Sequence, residues 1–513
     1  SDGGYAVSDF RQIDPRVGTN DELRALAGEL RKRDILLTLD VVANHTSREH
    51  EWAQRARAGD PVYQNYYYTF ADREIPDQYE RGMPEVFPQT APGNFTWDDS
   101  MQRWVMTVFH DYQWDLNYHN PAVFIEMLDI VLFWANQGAD IIRLDAVAFL
   151  WKKIGSACQN EREAHLILQL LKDCVQVSAP GVLFIAEAIV APVEVIKYFG
   201  EDAINSKECE IAYNATFMAL LWDAVATKNT RLLYQSIQNL PVKLERATWL
   251  NYVRCHDDIG LGFDDADIAA VGYDPRAHRQ FLIDYYTGGF YTSPARGLAF
   301  GQNPKNGDSR IAGALASLVG LEAALEQQDA AGIERAISLI LLLHGMILSF
   351  GGIPLIYYGD ELGTLNDYRY RDNPAQSDDS RWVNRPRIDW ERAEQRHLPG
   401  TIEFRVFNAL RKLIAIRREI PAFADFNNRQ LLDLASPHLF AFTRFTLRDG
   451  SSPILVVGNF AEEPQSLTRD ELASIGGRYL ERYRDLISGD VLTLEQDQLQ
   501  VPALGFYWLS THC

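Results

Sequence analysis

The sequence predicts an α/β protein built on a parallel (β/α)8 barrel, and three observations point there. Apolar, β-rich runs recur near residues 35, 140, 182, 209, 249 and 353, and most of the intervals between them carry helix-periodic segments. Several of the runs end in ionisable residues, as the C-terminal rim of a barrel requires. Beyond about residue 420 the pattern changes to short strands with turns, which reads as a C-terminal antiparallel β domain.

The elements follow in order. Asp2-Gly3-Gly4-Tyr5 is loop, and Thr19 with Glu22 forms a capping box that opens a helix whose apolar face is Leu23, Leu26, Ala27 and Leu30. Ile35 to Val42 is a strand ending in Ala43-Asn44-His45. From Glu49 to about Tyr112 the chain turns aromatic and proline-containing, as in Tyr66-Tyr67-Tyr68, and reads as an inserted subdomain. Asn120 as N-cap, Pro121 at the first helical position and Gly138 as stop bound the next helix.

The strand Ile141 to Asp145 follows. Its Arg143 and Asp145 project to one side, and two charges on a buried parallel strand are costly unless paired. They suit a catalytic rim; the plainer reading is an ion pair that only fixes register. Helix Arg162 to Val177, strand Val182 to Ala186 ending in Glu187, a helix near Val193 to Phe199, a strand near Cys209 to Tyr213 and the strand Trp249 to Arg254 continue the alternation. After His256-Asp257-Asp258 a second excursion, rich in Gly, Asp and Asn, runs to about Gly332. A long apolar helix, the strand Ile353 to Tyr358, a helix from Thr401 to about Arg418, and strands at Leu439 to Phe445, Ile454 to Phe460, Val491 to Leu494 and Phe506 to Leu509 complete the chain.

Six strands need two more to close a barrel. The chain opens at Ser1 in apparent loop, so the first two strands and one helix are expected upstream, and the chain is read as an N-terminally truncated barrel. The expected organisation is barrel over 1–45, 116–259 and 333–420, inserted subdomains over 46–115 and 260–332, and the β domain over 421–513.

With 513 residues, 47% hydrophobic and 23% charged, the composition is that of a globular protein with a large core. Seventy acidic against 49 basic residues give a net charge of −21, which argues against nucleic acid or an anionic membrane as partner. Five scattered cysteines show no disulfide framework or zinc spacing, so no metal or other cofactor is expected, and the weak inference is a reducing, cytoplasmic compartment. The most apolar window, Ile337 to Phe350, is too short to span a bilayer and reads as a buried helix.

His45, Arg143 with Asp145, Glu187, and His256 with Asp257 all fall at strand ends. Retaining glycoside chemistry needs a carboxylate nucleophile and a carboxylic acid about 5 to 5.5 Å apart, which adjacent barrel strands can supply. Asp145 beside Arg143 suits the ionised nucleophile, and Glu187, after apolar Phe184-Ile185-Ala186, suits the general acid. Asp257 with His45 and His256 would grip sugar hydroxyls and steady the oxocarbenium-like charge.

Asp40-Val41-Val42-Ala43-Asn44-His45, Arg143-Leu144-Asp145-Ala146-Val147, Glu187-Ala188 and Cys255-His256-Asp257-Asp258, in this order and spacing, resemble the four motifs of the α-amylase superfamily of glycoside hydrolases. The resemblance implies a TIM barrel with Asp145 as nucleophile, Glu187 as acid/base, Asp257 as transition-state carboxylate, and Arg143, His45 and His256 at subsite −1. Within the superfamily the chain is most similar to amylosucrases and the related sucrose hydrolases. That likeness rests on Glu49-His50-Glu51-Trp52-Ala53-Gln54, Pro76-Asp77-Gln78-Tyr79, Phe109 with Gln113-Trp114-Asp115-Leu116-Asn117, Ala295-Arg296-Gly297, Gly307-Asp308-Ser309-Arg310 and Asp378-Asp379-Ser380-Arg381-Trp382.

It implies sucrose as donor and an α-glucan as acceptor. Tyr5 and Phe109 would offer aromatic faces to a glucosyl ring, an Asp2–Arg381 pair would close the pocket floor, and Asp258 with Arg310 would serve the acceptor side. Without the resemblance, Asp2 and Arg381 read as solvated loop charges. The rival readings are a strictly hydrolytic sucrose hydrolase or α-glucosidase, and a non-catalytic barrel serving as a binding subunit. No metal is assigned, since the Asn44 region shows no supporting acidic cluster.

Overall fold

The computed structural model describes residues 3–200, 207–240, 246–303, 307–424, 428–445, 453–473 and 482–510. They fall into two compact units, Ser1–Tyr213 with Gly301–Asn306 and Asn214–Phe300 with Gly307–Cys513.

The first unit carries four parallel strands in the order Thr38–Val42, Ile141–Asp145, Leu183–Ala186, Ile211–Tyr213. Register is set by Asp40 opposite Arg143, Val42 opposite Asp145, and Leu144 opposite Ala186. Ile142, Leu144, Phe184 and Ala186 are fully buried on one face of their strands and Arg143 and Ile185 are buried on the other, the burial on both faces that a parallel strand between helices demands. The helices obey the expected signals. Thr19 and Glu22 form both halves of a capping box on Asn20–Arg31, and Pro121–Gln137 starts on an Asn120 cap and stops at Gly138 in the left-handed region.

The stretch between the first two barrel strands folds into three short helices, a three-stranded antiparallel sheet and the strand pair His45–Ser47 with Gln113–Asp115, which sets His45 opposite Asp115. Its aromatic content has a purpose in packing: Tyr68, Tyr79, Met83, Phe95, Met106 and Val108 form a core with Cys158.

The second unit holds the parallel pair Thr248–Tyr252 and Ile353–Leu355. The long apolar helix spans Ala330–Ser349, so Gly332 lies in its first turn instead of before it, a position where the backbone N–H needs no partner within the helix. It is long and apolar enough to cross a bilayer by composition, yet Ala336, Ile340, Leu342, Leu343 and Met346 are fully buried in the fold. The expected excursion contains helices Asp265–Ala270, Pro275–Tyr286, Leu315–Leu318 and Leu321–Glu326 and the strand pair Leu298–Phe300 with Arg310–Ala312. Thr401 caps Ile402–Arg418.

The C-terminal residues form a six-stranded antiparallel sheet that includes all four expected strands, together with Arg429–Leu432 and Arg482–Asp485. Gln465–Thr468 pairs separately with Gln498–Val501. These four extra strands escape a sequence reading because each is four residues long with polar residues interspersed, too short for a period of two to register.

All six barrel strands expected from the sequence are present. Among the described residues they are the parallel barrel strands, and the protein is a member of the TIM-barrel class with a C-terminal antiparallel β domain.

Candidate active site

In the first unit the strand ends bring Tyr5, His45, Phe109, Arg143, Asp145 and Glu187 into one cluster. Arg143 is its hub. The guanidinium is buried, and its Nη1 lies 2.8 Å from Asp145 Oδ1 and 3.1 Å from Asp40 Oδ1, while Nε donates to the Tyr213 hydroxyl at 3.0 Å. Burial alone would lower the Arg143 pKa. The neighbouring Tyr213, Tyr5, Asp40 and Asp145 outweigh burial and raise it, so the residue is a permanent cation. One cation thus serves two carboxylates on adjacent strands.

Glu187 follows the Leu183–Ala186 strand. Its backbone N–H donates to Leu144 O at 3.0 Å, and its Oε2 accepts the Ala146 N–H at 3.0 Å. The Glu187 carboxylate is therefore moored to the residue that immediately follows Asp145. Ala146 sits at φ 53°, ψ 33°, a left-handed conformation costing about 1–2 kcal/mol for a residue with a Cβ. The strained turn aims the Ala146 N–H at Glu187, so strain and site geometry share a cause.

His45 is buried, with Nε2 at 3.1 Å from the Tyr5 carbonyl oxygen and Nδ1 at 3.3 Å from Asn44 Nδ2. Its ring lies 5.2 Å from the Phe109 ring, which in turn meets Phe149 edge-on at 5.1 Å. Tyr5 donates its hydroxyl hydrogen to Asp40 Oδ2 at 3.2 Å.

The second unit gathers His256, Asp257, Asp258, Arg310 and Arg381. His256 Nε2 lies 3.1 Å from Asp257 Oδ2, and Arg310 Nε lies 3.3 Å from Asp258 Oδ2. Arg381, on the turn Ser380–Asn384, is buried. It grips Asp379 through Nε at 3.0 Å and Nη2 at 2.8 Å, reaches Asp257 with Nη1 at 3.5 Å, and stacks its guanidinium 4.5 Å from the Phe300 ring. Burial would raise the Asp379 carboxyl, but the bonds from Arg381 more than offset it and hold it below the usual range. Arg381 is therefore not a solvated loop charge. Asp2, its expected partner, lies outside the described residues.

Several residues at these clusters were not singled out from the sequence. Asp40 and Tyr213 bind Arg143, Phe149 packs on Phe109, Asp379 fixes Arg381, and Arg385 stands 3.6 Å from Asp257 while donating to the His256 carbonyl at 2.8 Å. Asp40 and Tyr213 were within reach of the strand-end rule: Asp40 is opposite Arg143 in register and Tyr213 closes a barrel strand. Asp379 and Arg385 flank Arg381 on a loop with no periodic signal.

Among the described residues one group has the spacing to hold a metal ion, Cys255, His256 and Asp257. A cation there would have to displace the Arg381 and Arg385 guanidiniums from Asp257. At Asn44 one acidic residue stands nearby, and it is paired with a lysine. Asp115 accepts the Asn44 amide at 3.2 Å, and the Lys152 ammonium lies 2.6 Å from the same carboxylate.

The alpha-amylase catalytic-domain family matches residues 1–261. The trehalose synthase/amylase TreS of Mycobacterium tuberculosis is 27% identical over 100% of this chain and 82% of its own length. The glucosylglycerate phosphorylase of Spirochaeta thermophila is likewise 27% identical over 100% of this chain and 82% of its own. Among solved structures, the isomaltulose synthase SmuA from Protaminobacter rubrum superimposes with a TM-score of 0.67 at 20% identity, covering 100% of this chain and 90% of that one. The sucrose 6F-phosphate phosphorylase from Thermoanaerobacter thermosaccharolyticum does so with 0.66 at 19%, covering 90% and 84%. The two superpositions bear on fold alone and agree with the barrel.

Proposed function

The chain belongs to the alpha-amylase family and is an enzyme of that superfamily, and from this membership we propose a retaining glucosyltransferase that takes sucrose as donor, releases fructose and extends an α-1,4-glucan, with some hydrolysis of sucrose. One observation carries the reaction class. Asp145 and Glu187 end neighbouring parallel strands, and the Ala146 N–H ties the Glu187 carboxylate to the residue after Asp145. Strands about 4.8 Å apart suit the 5 to 5.5 Å that a retaining pair needs.

In the proposed cycle the Asp145 carboxylate attacks the anomeric carbon while Glu187 gives its proton to the departing fructosyl oxygen. An acceptor hydroxyl then displaces Asp145 and gives its own proton to Glu187, the first proton having left with the fructose. Arg143 keeps Asp145 charged and aligned, and Asp257 stabilises the oxocarbenium-like transition state. His45, His256, Tyr5 and Phe109 contact the glucosyl unit, Asp2 and Arg381 close its pocket, and Asp258 and Arg310 meet the acceptor. The excursions over 46–115 and 260–332 supply the acceptor side.

Sucrose is proposed because the segments around Phe109, Gly307-Asp308-Ser309-Arg310 and Asp379-Ser380-Arg381 resemble sucrose-active enzymes. The name glucosylglycerate phosphorylase supports a small glucoside as donor, while trehalose synthase/amylase names both a disaccharide and a glucan activity. The test is product analysis with sucrose and with trehalose, each with and without glycogen and inorganic phosphate. Fructose release with glycogen elongation is the expected result. Free glucose with no elongation makes the enzyme a hydrolase, glucose 1-phosphate makes it a phosphorylase, and turnover of trehalose alone overturns the donor.

A further inference from the structure

Among the described residues of the first unit, Lys152 is the most deeply enclosed cation. Its side chain and that of Asp115 are both wholly inaccessible, and three oxygens surround the ammonium: Asp115 Oδ2 at 2.6 Å, Asn44 Oδ1 at 2.9 Å and the Phe149 carbonyl at 2.6 Å. Three donors meet three acceptors. The other Asp115 oxygen accepts the Val108 N–H at 3.1 Å, so the carboxylate is anchored as well.

This geometry fixes the Asn44 amide. An ammonium only donates, so the Asn44 atom facing Lys152 must be its oxygen. The Asp115 carboxylate takes up the amide nitrogen at 3.2 Å and requires the same orientation. The Asn44 nitrogen is then the atom 3.3 Å from His45 Nδ1, and an amide nitrogen only donates. Nδ1 of His45 must therefore accept. At the other end of the ring Nε2 faces the Tyr5 carbonyl at 3.1 Å, an acceptor, so the proton resides on Nε2. Two independent contacts give the same tautomer.

We propose that Lys152, paired with Asp115, is a positioning residue that, through Asn44, holds His45 as the neutral imidazole with its proton on Nε2, a proton the Tyr5 carbonyl accepts until a hydroxyl of the donor glucosyl ring takes its place. The proposal rests on the reading that His45 touches that ring. Lys152 follows the nucleophile strand by seven residues in a loop whose other end, Ala146, holds Glu187, so one loop orients two members of the site. With Lys152 gone and Asp115 no longer a carboxylate, Asn44 is free to turn its amide over, which presents an oxygen to Nδ1 and moves the proton there.

The test is nitrogen-15 NMR of histidine-labelled protein at neutral pH, with His45 identified by difference against His45→Gln, alongside donor kinetics. The wild type is expected to show an unprotonated Nδ1 and a protonated Nε2. The charge-neutral double variant Lys152→Met/Asp115→Asn is expected to populate the Nδ1–H tautomer in a folded protein and to lower kcat/KM for the donor about tenfold or more. Lys152→Met alone leaves Asp115 as an unpaired buried anion that still claims the Asn44 nitrogen, so it is expected to lose stability and to keep the wild-type tautomer. A wild-type His45 protonated on Nδ1, or a tautomer unchanged in the double variant, overturns the proposal. A tautomer change with unaltered donor kinetics overturns the assignment of His45 to the donor ring, and the positioning role with it.

Discussion

Replacing Arg143 with alanine removes a buried cation shared by two carboxylates, and the structure apportions the loss between them. The Asp40 side chain is 43% exposed, so its pair with Arg143 is screened by water and contributes about 0–1 kcal/mol. Asp145 is 14% exposed and 2.8 Å away, and breaking a buried pair of that kind costs about 3–5 kcal/mol. Tyr213 also loses the donor to its hydroxyl. A fold of typical stability, about 5–15 kcal/mol, survives this at low temperature.

Activity is expected to fall much further, because an Asp145 displaced by about 1 Å loses on the order of 100-fold in rate, and a change in its charge adds to that. The assay is the initial rate of fructose release at 15 °C, with circular dichroism confirming the fold. The double variant Arg143→Ala/Asp40→Asn separates the two effects: it removes the exposed carboxylate that the lost cation leaves behind and is expected to recover some stability but no activity. Turnover within a few-fold of wild type in Arg143→Ala, or recovery of turnover in the double variant, would refute the role given to Arg143.

Glu187→Gln should slow sucrose turnover by about 10²–10⁴-fold yet affect glucosyl fluoride far less, since fluoride departs without a proton; equal losses on both donors would remove the acid role. Arg381→Lys keeps the charge but not the two-pronged grip on Asp379, so KM for the donor should rise about tenfold while the thermal midpoint changes little, and an unchanged KM would detach Arg381 from the donor pocket. His344 is held by burial at a pKa of about 4, below its ordinary 6.5, with Nδ1 bonded to the Ile340 carbonyl at 2.8 Å. The unfolded chain binds a proton below pH 6.5 that the folded state refuses, so stability falls as pH drops from about 6.5 towards 4, by about 3 kcal/mol over the full window. Urea midpoints for wild type and His344→Leu at pH 7 and pH 5 should show a shallower pH dependence in the variant, and equal slopes would contradict the shift.

Much of this was legible because the physics is local. Buried parallel strands write themselves as short apolar runs, and ionisable residues at their ends stand out against that background, so Arg143, Asp145 and Glu187 could be read directly. Caps were legible for the same reason, as at Thr19 and Asn120. What escaped depends on distance along the chain. Asn44 meets Asp115 from 71 residues away and Lys152 from 108, so no window of sequence joins them. Asp379 and Arg385 belong to an aperiodic loop whose members acquire meaning only beside Asp257. Arg381 looked like a solvated charge until its burial and its stack on Phe300 were seen.

The reach of Arg143 has a consequence for how the first unit acquires and loses competence. Its guanidinium spans the mouth of the strand beside it, bonding Asp40 on one neighbour and Tyr213 on the strand beyond the other. Those contacts join residues 40, 143 and 213, so each closes a long stretch of chain. The brace is therefore completed only when all four strands are in register, and it is lost when any one of them slips. Local opening of one strand costs less than global unfolding. With Arg143 in the proposed role, gentle heating would silence the enzyme while most of its secondary structure still stands.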